Sequence, residues 1–374
     1  MEKAHKNKIS DYIGQEEIAK LDKEFGEFLK NQFAHRKIER RINFNRFKQS
    51  FRVIFSNLFI LPSAIKNYFK LFLLHKMPLR SMEIALTYDC NATCEQCSCR
   101  LNHDPLKKRL SLDEFKKAID DAIKMGAFQF NITGGEPLLC FDECIELIKY
   151  IRSRGKYVHL CSNAILMNRD IMEKLKKAGL NSLEMGLDSV DEARHNGNRK
   201  ENSYQTTMKT IEMAKTVGMK TIILNTIITH DKIKCHDMLA LMNLAKEKGV
   251  MLQITPPCVT GAWKNKTDIL LSKNERLYLR WLLAKYSHAR MDTYSGYKGI
   301  RCPAAREKIG IHPYGNVVSC PLIQIIYGNI KDDSLENIRK KMLENPYYHV
   351  VSREGCLPSF NQEFIDKYML DKKQ

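Results

Sequence analysis

The chain has 374 residues, 44% of them hydrophobic and 28% charged, which suits one large domain with one or two small ones and excludes a disordered polymer. Lysine and arginine number 61 against 43 acids, a formal net charge of +18, which favours a polyanion, an acidic protein or an anionic membrane surface as partner. The opening "MEKAHKNKIS" lacks the apolar run of a signal segment, so the expected location is cytoplasmic, with a peripheral membrane contact kept open. In that compartment thiols stay reduced, and twelve cysteines read as metal ligands, catalytic groups or small core residues rather than disulfides.

Residues 1–78 carry charged, helix-like sequence with little alternation. The stretch "NRFKQSFRVIFSNLFILPSAIKNYFKLFLLHKM" interleaves Phe, Leu and Ile with Lys and Arg, and residues 31–80 hold about +10 of the net charge. This reads as a basic amphipathic helical extension, broken at Pro62. Its longest uncharged apolar run, "VIFSNLFILPSAI", is far short of the roughly 20 residues a membrane-spanning helix needs.

Residues 79–289 alternate strand and helix. "MEIALTY", "FQFNITG", "YVHLCSN", "NSLEMGLD", "TIILNTIIT" and "VMLQITPP" are short runs of strand formers, separated by helical stretches that end in or near glycine. In "SLDEFKKAIDDAIKMG", Ser111 and Glu114 form a capping-box signature and Gly126 marks the end. Six strand–helix units in series predict an α/β fold with a parallel sheet, open or curled into part of a barrel. Residues 290–374 change character: short strands, a turn at "PYGN", then helical sequence, predicting a small α+β unit.

"CNATCEQC", directly after the first strand, places Cys90, Cys94 and Cys97 on one loop. Ligands of a parallel sheet gather at the carboxyl ends of its strands, so this loop sits at the functional end. Structural zinc takes four protein ligands. Three thiolates instead suit three irons of a cubane cluster and leave the fourth iron open; Cys99, two residues on, is the alternative that would close the site. "NITGGEPLL" follows the second strand. Gly134 and Gly135 let backbone approach a ligand, Glu136 offers a carboxylate to an amine, and Pro137 stiffens the turn.

The Cys-x3-Cys-x2-Cys loop after the first strand, with "GGEP" after the second, resembles the radical S-adenosylmethionine (SAM) superfamily. The resemblance covers most of the chain from residue 82 onward. It implies a partial (βα)6 barrel and a [4Fe-4S] cluster held by Cys90, Cys94 and Cys97, whose open iron binds SAM. It also implies reductive cleavage of SAM to methionine and a 5′-deoxyadenosyl radical that abstracts a hydrogen from the substrate. By position, Gly134, Gly135, Glu136 and Pro137 would meet the methionine amine, Ser162 and Asn163 the ribose, Asp188 would face the site, and Arg199 would meet a carboxylate. Two departures stand out: Gly186 replaces the serine of the family's Ser-x-Asp stretch, and Gln96 replaces an aromatic residue before the third cysteine. Asn225 and Gln253 are weaker candidates.

"CPAAREKIGIHPYGNVVSC" places Gly315 five residues before Cys320, with Cys302 upstream. This resembles the auxiliary-cluster domains called SPASM and twitch. The scarcity of further cysteines fits the twitch form, with one extra [4Fe-4S] cluster on Cys302, Cys320 and Cys356; Cys258 and Cys235 are candidates for a fourth ligand. The alternative is that these are buried small hydrophobes. Cys144 reads as core; Cys140 and Cys161 lie near strand ends, where core is the first reading and an approach to the site the alternative.

The resemblance implies an oxidoreductase or a maturase of peptides or proteins, acting on a peptide or small molecule and reduced by an acidic flavodoxin or ferredoxin. A membrane lipid or isoprenoid substrate is an alternative, raised by the N-terminal section. An iron–sulfur electron carrier is another, but it leaves "GGEP" unused. A zinc-dependent nucleic-acid binder would need four ligands per site, and each cysteine set offers three.

Overall fold

A computed structural model of the chain describes residues 6–297, 302–350 and 356–371. The first residues read for a signal segment, and the Gly299–Arg301 start of the third section's "GIRC" run, lie outside them.

All six expected strands form, each within a residue or two of its predicted start: β1 (Ser81–Ala85), β2 (Gln129–Thr133), β3 (Tyr157–Ser162), β4 (Ser182–Gly186), β5 (Thr221–Ile227) and β6 (Met251–Thr255). They pair in parallel and in sequence order. Four further strands extend the sheet: β7 (Ala289–Met291), β8 (Lys308–Ile311), β9 (Asn316–Cys320) and β10 (Ile323–Asn329). β7 adds in parallel beside β6, and β8 adds in parallel on the free edge of β1; β8, β9 and β10 form an antiparallel meander. The ten strands make one sheet in the order β10-β9-β8-β1-β2-β3-β4-β5-β6-β7. Side chains from β1 through β7 line a single cavity, so the sheet curls into a half-barrel. The sequence boundary at 289/290 falls inside β7, and the third section is continuous with the barrel sheet.

Helices follow each of the six strands and cover the outer face. Helix Leu112–Lys124 shows why they form: Ser111 and Glu114 cap it reciprocally, and Phe115, Ala118, Ile119 and Ala122 recur at helical spacing to make one buried stripe. Along the strands the period is two. Outward residues such as Met82, Ile84, Phe130, Ile132, Val158 and Leu160 are fully buried under the helices. Most inward ones are polar, among them Glu83, Asn131, His159, Glu184, Asn225 and Gln253, with Ile223 and Met251 the apolar exceptions on β5 and β6. The apolar core thus lies between sheet and helices, and the barrel interior is a polar chamber.

Helices Gln15–Leu29, Gln32–Ser56 and Leu61–Phe72 build the N-terminal extension. Pro62 lies in the first turn of the third, where its missing N–H costs nothing, so it starts a helix rather than breaking one; the preceding helix already ends at Ser56. The second and third helices close the pole of the barrel where strands begin. Asn67 Nδ2 donates to the carbonyls of Gly126 (2.7 Å) and Leu79 (3.4 Å), just ahead of β2 and β1. Gln49 Nε2 donates to the carbonyl of Ser287 (2.8 Å), just ahead of β7. Among the described residues no helix is long and apolar enough to cross a membrane.

Candidate active site

The cysteine loop and the Gly-Gly-Glu-Pro turn are stitched together by backbone. Gly135 N donates to Thr87 O (2.6 Å) and Glu136 N to Asp89 O (2.8 Å). A Cβ on Gly134 would stand 2.2 Å from Thr87 O, and one on Gly135 2.1 Å from Asp89 O. Gly134 also sits at φ +140°. Both glycines are therefore required for the close approach of the two loops themselves. A third contact escaped sequence reasoning. Gly261 lies at φ +55°, and a Cβ there would be 2.2 Å from Cys97 O, which also accepts a hydrogen bond from Ala262 N at 3.0 Å. The loop after β6 thus clasps the cysteine loop from the far side of the barrel; its only sequence signal is a glycine in "VTGAW".

Cys90 is exposed, and Cys94 and Cys97 are half-buried. Burial pushes the Cys90 and Cys94 thiols up from their ordinary value, while Arg199 draws that of Cys94 down in part. Cys97 is pulled down to about 6, chiefly by a hydrogen bond from Cys99. The Cys99 sulfur lies 3.6 Å from that of Cys97 and 3.3 Å from the Gly134 carbonyl. A thiol poised as thiolate is the form that ligates metal.

Glu136 is fully buried and its carboxylate faces the β3 turn. It accepts from Asn163 N (2.7 Å), Ser162 Oγ (2.9 Å) and Leu138 N (3.1 Å). Burial raises its pKa against those three donors. Ser162 Oγ in turn accepts from Ala164 N, and Asn163 Nδ2 donates to Asn91 Oδ1 at 2.7 Å and lies 3.8 Å from Cys90 Sγ. Ser162 therefore ties the turns together, and Asn163 stands at the exposed cysteine. Pro137 opens a short 3-10 turn.

Asp188 and Arg199 form a bidentate pair, Nε to Oδ2 at 2.6 Å and Nη2 to Oδ1 at 3.0 Å. Burial opposes the Asp188 charge, yet the guanidinium holds its carboxyl well below the carboxylate range. Asn198 Nδ2 and Gln96 Nε2 add bonds to Asp188 Oδ2 at 2.8 and 2.9 Å. Thr93 N donates to Arg199 O at 3.3 Å, which fixes the cysteine loop to this pair. Both departures from the family pattern are explained here. A Cβ at Gly186 would stand 2.2 Å from Arg199 Nη2, so the guanidinium fills the space a serine would use. Gln96 replaces an aromatic face with a donor to Asp188; its Oε1 is buried without a hydrogen-bond partner among the described residues, leaving an acceptor beside the thiols.

Below the loops lies a chamber of about 180 Å³. Glu184 is its hub: it accepts from Asn225 Nδ2 (2.7 Å) and Gln253 Nε2 (2.9 Å), with His159 Nε2 at 3.2 Å and Cys161 Sγ at 3.9 Å. Asn225 and Gln253 therefore join one network, and Cys161 lines the chamber. Lys308 pairs with Glu83 (3.3 Å) across the β1–β8 seam and with Asp292 (3.4 Å), which follows β7 at the other edge of the sheet. His159, Glu184, Lys308 and Arg290 were missed from sequence. The available signal was period two: in "YVHLC" and "SLEMG" the polar residue alternates with apolar ones.

Cys258, Cys302, Cys320 and Cys356 come from four places in the chain. Ser359 Oγ lies 3.1 Å from Cys258 Sγ and 3.4 Å from Cys356 Sγ, and those two thiols share a hydrogen bond. Cys302 is within electrostatic reach of both Cys356 and Cys320. Burial pushes Cys302 up to about 12 and raises Cys320 as well. Cys235 is elsewhere, accepting from Arg194 Nη1 at 3.0 Å. Cys144 is fully buried core, and Cys140 accepts from Arg109 Nη1 at 3.2 Å.

A three-thiol loop thus stands at the carboxyl end of a parallel half-barrel, locked to a Gly-Gly-Glu-Pro turn. Residues 84–245 match the family described as the Radical SAM superfamily, and they are a domain of that superfamily. Among curated relatives, a probable GTP 3′,8-cyclase of Methanococcus maripaludis is 29% identical over 177 residues, 47% of this chain and 58% of that protein. The mycofactocin maturase MftC of Mycolicibacterium smegmatis is 26% identical over 265 residues, 66% of each. The chain thus spans between about half and two thirds of the length of such relatives. Among solved structures, Streptococcus suis SuiB bound to S-adenosylmethionine shares the fold with a TM-score of 0.59 at 15% identity, over 83% of this chain and 81% of that one.

Proposed function

We propose that the chain is a radical SAM oxidoreductase or maturase with Cys90, Cys94 and Cys97 holding a [4Fe-4S] cluster, and with peptide as its substrate class. The observation that carries the reading is the interlock of the two motif loops over a polar chamber. The donor set fits the group: three thiols on one loop, one already drawn toward thiolate, with the Arg199 cation beside them to offset added negative charge. Bound there, the cluster and SAM would supply one electron and a carbon-centred radical. The chain's own residues do the rest. Glu136 holds the turn rigid, Asn163 stands ready at the mouth, and the Asp188–Arg199 pair anchors the loop. The chamber's paired acids and bases can orient a polar substrate without water.

Peptide is favoured because the mycofactocin maturase relative and the SuiB fold neighbour, one of whose structures is bound to a precursor peptide, bear those names. The chamber's mix of Glu184, Lys308 and Arg290 suits amide and carboxylate groups. Cys302, Cys320, Cys356 and Cys258 would hold an auxiliary cluster: the first three thiols are raised, and Ser359 lies against both Cys258 and Cys356. An acidic flavodoxin or ferredoxin is the proposed reductant, steered by the basic surface. The test is electron paramagnetic resonance of the reduced, anaerobically reconstituted protein with and without SAM. The expected result is a SAM-dependent change in the cluster signal. An identical signal with SAM present would refute an open iron.

A further inference from the structure

The N-terminal extension has a face that the active site does not use. On helix Leu61–Phe72, Ala64, Asn67 and Leu71 are buried against the barrel, while Ile65, Tyr68, Phe69 and Phe72 are exposed. The flanking turns add Phe59, 73% exposed, and Leu73, 66% exposed. The preceding helix contributes Phe44, Phe47 and Phe51. The two helices lean on neighbouring residues: Arg46 donates to the Gly296 carbonyl at 2.9 Å, and the Tyr68 ring meets that of Tyr297 at 5.4 Å. An apolar face of this extent is not left to water without a use.

Its charge tells what covers it. Between Glu39 and Glu83 the sequence has no acid and nine lysines and arginines. Lys48 and Lys66 are exposed among the aromatics, and Lys48 lies over the Phe44 ring at 4.6 Å. Large apolar side chains interleaved with cations, with no acid in the same segment, match the interface of an anionic bilayer: rings and aliphatic chains enter the acyl boundary and ammonium groups stay among the headgroups. A protein partner would need a matched acidic and apolar surface, and a second copy would bring the same positive charge against itself.

We propose that this face docks the protein on an anionic phospholipid surface, with the barrel's strand-start pole toward the membrane and the cysteine loop away from it. The polarity follows from the contacts. Asn67 binds the carbonyls just ahead of β1 and β2, and Lys156 Nζ, just ahead of β3, donates to Ser63 Oγ at 2.8 Å. The cysteine loop leaves the other end of β1. Five residues of strand put the two poles about 16 Å apart. The membrane therefore anchors the enzyme while the cluster pole stays open to a soluble reductant and substrate. The lipid-substrate alternative loses its simplest entry route.

The experiment is sedimentation of the whole reconstituted chain with phosphatidylcholine vesicles, with and without phosphatidylglycerol. It is run beside a Phe59→Ser, Phe69→Ser, Leu73→Ser variant, whose altered side chains are all exposed. Wild type is expected to bind the phosphatidylglycerol vesicles and to weaken with salt. Lys66→Ala is expected to weaken binding about fivefold, and the triple variant to lose it. Hydrogen exchange on the vesicles should slow at residues 58–74 and stay unchanged at 102–107. Absence of vesicle binding by folded wild type would overturn the proposal. So would a wild-type dimer in solution that the triple variant splits, and protection at 102–107 instead would overturn the orientation. Neither readout depends on SAM cleavage, so the proposal and the catalytic reading fail separately.

Discussion

Two sets of thiols stand in this molecule, and they are built differently. Cys90, Cys94 and Cys97 share one loop, half open to solvent, and owe their position to backbone bonds with the next βα turn. Cys258, Cys302, Cys320 and Cys356 come from four separate segments; three of them are buried. The first set is a local device whose spacing already encodes it. The second exists only once β8 and β9 have joined the barrel edge and Cys258 has been carried across from the end of β6. An open loop suits a group that must meet ligands, and an enclosed set suits a group whose work is electronic or structural.

That contrast can be broken by mutation, and the largest effect is expected in iron content. Cys94→Ala should remove about four irons per chain and leave the enclosed set loaded. Cys258→Ala should do the reverse, while Cys235→Ala should leave iron unchanged. Iron and sulfide assays with Mössbauer spectra check all three. Equal iron in the Cys258→Ala and Cys235→Ala proteins would remove Cys258 from the enclosed set.

Next in size is the anchor of the open loop. Arg199→Ala strands a buried carboxylate at Asp188 and should cost about 3–5 kcal/mol in denaturant unfolding. Because Arg199 lowers the folded-state value of Asp188, the pair's contribution is complete above about pH 4 and is lost as pH falls through that lowered value. The gap between wild type and variant should therefore shrink in acid. A gap independent of pH would show that packing, not charge, holds the loop.

Gly135→Ala should cost about 2–4 kcal/mol, because its Cβ meets the Asp89 carbonyl backbone, which must move. It should also lower iron in the open set alone. The smallest effect is expected for Ser359→Ala, which removes a hydroxyl lying between two thiols and should cost about 1 kcal/mol. Thermal unfolding of the reconstituted proteins ranks the two.

The sequence was most legible where structure is local. Strand runs, the Ser111 capping box and the motif loops each depend on residues a few positions apart, so spacing alone located them. Glu136 shows the limit. Its carboxylate accepts from Ser162 and Asn163, twenty-six and twenty-seven residues on, a partnership no short motif contains. Gly261 and Gly186 are of the same kind: each is a glycine because another segment arrives there. β7 and β8 were missed as barrel strands because they are short and their pairing with β6 and β1 is tertiary.

The measurement that tests the central claim most directly is 5′-deoxyadenosine release from the reduced, anaerobically reconstituted protein given SAM, beside a Cys90/Cys94/Cys97→Ala control. Release from the intact protein and none from the control is the predicted result. No release from a protein whose open-loop cluster is spectroscopically intact, with a leader-bearing peptide library supplied, would contradict the account and favour an electron carrier.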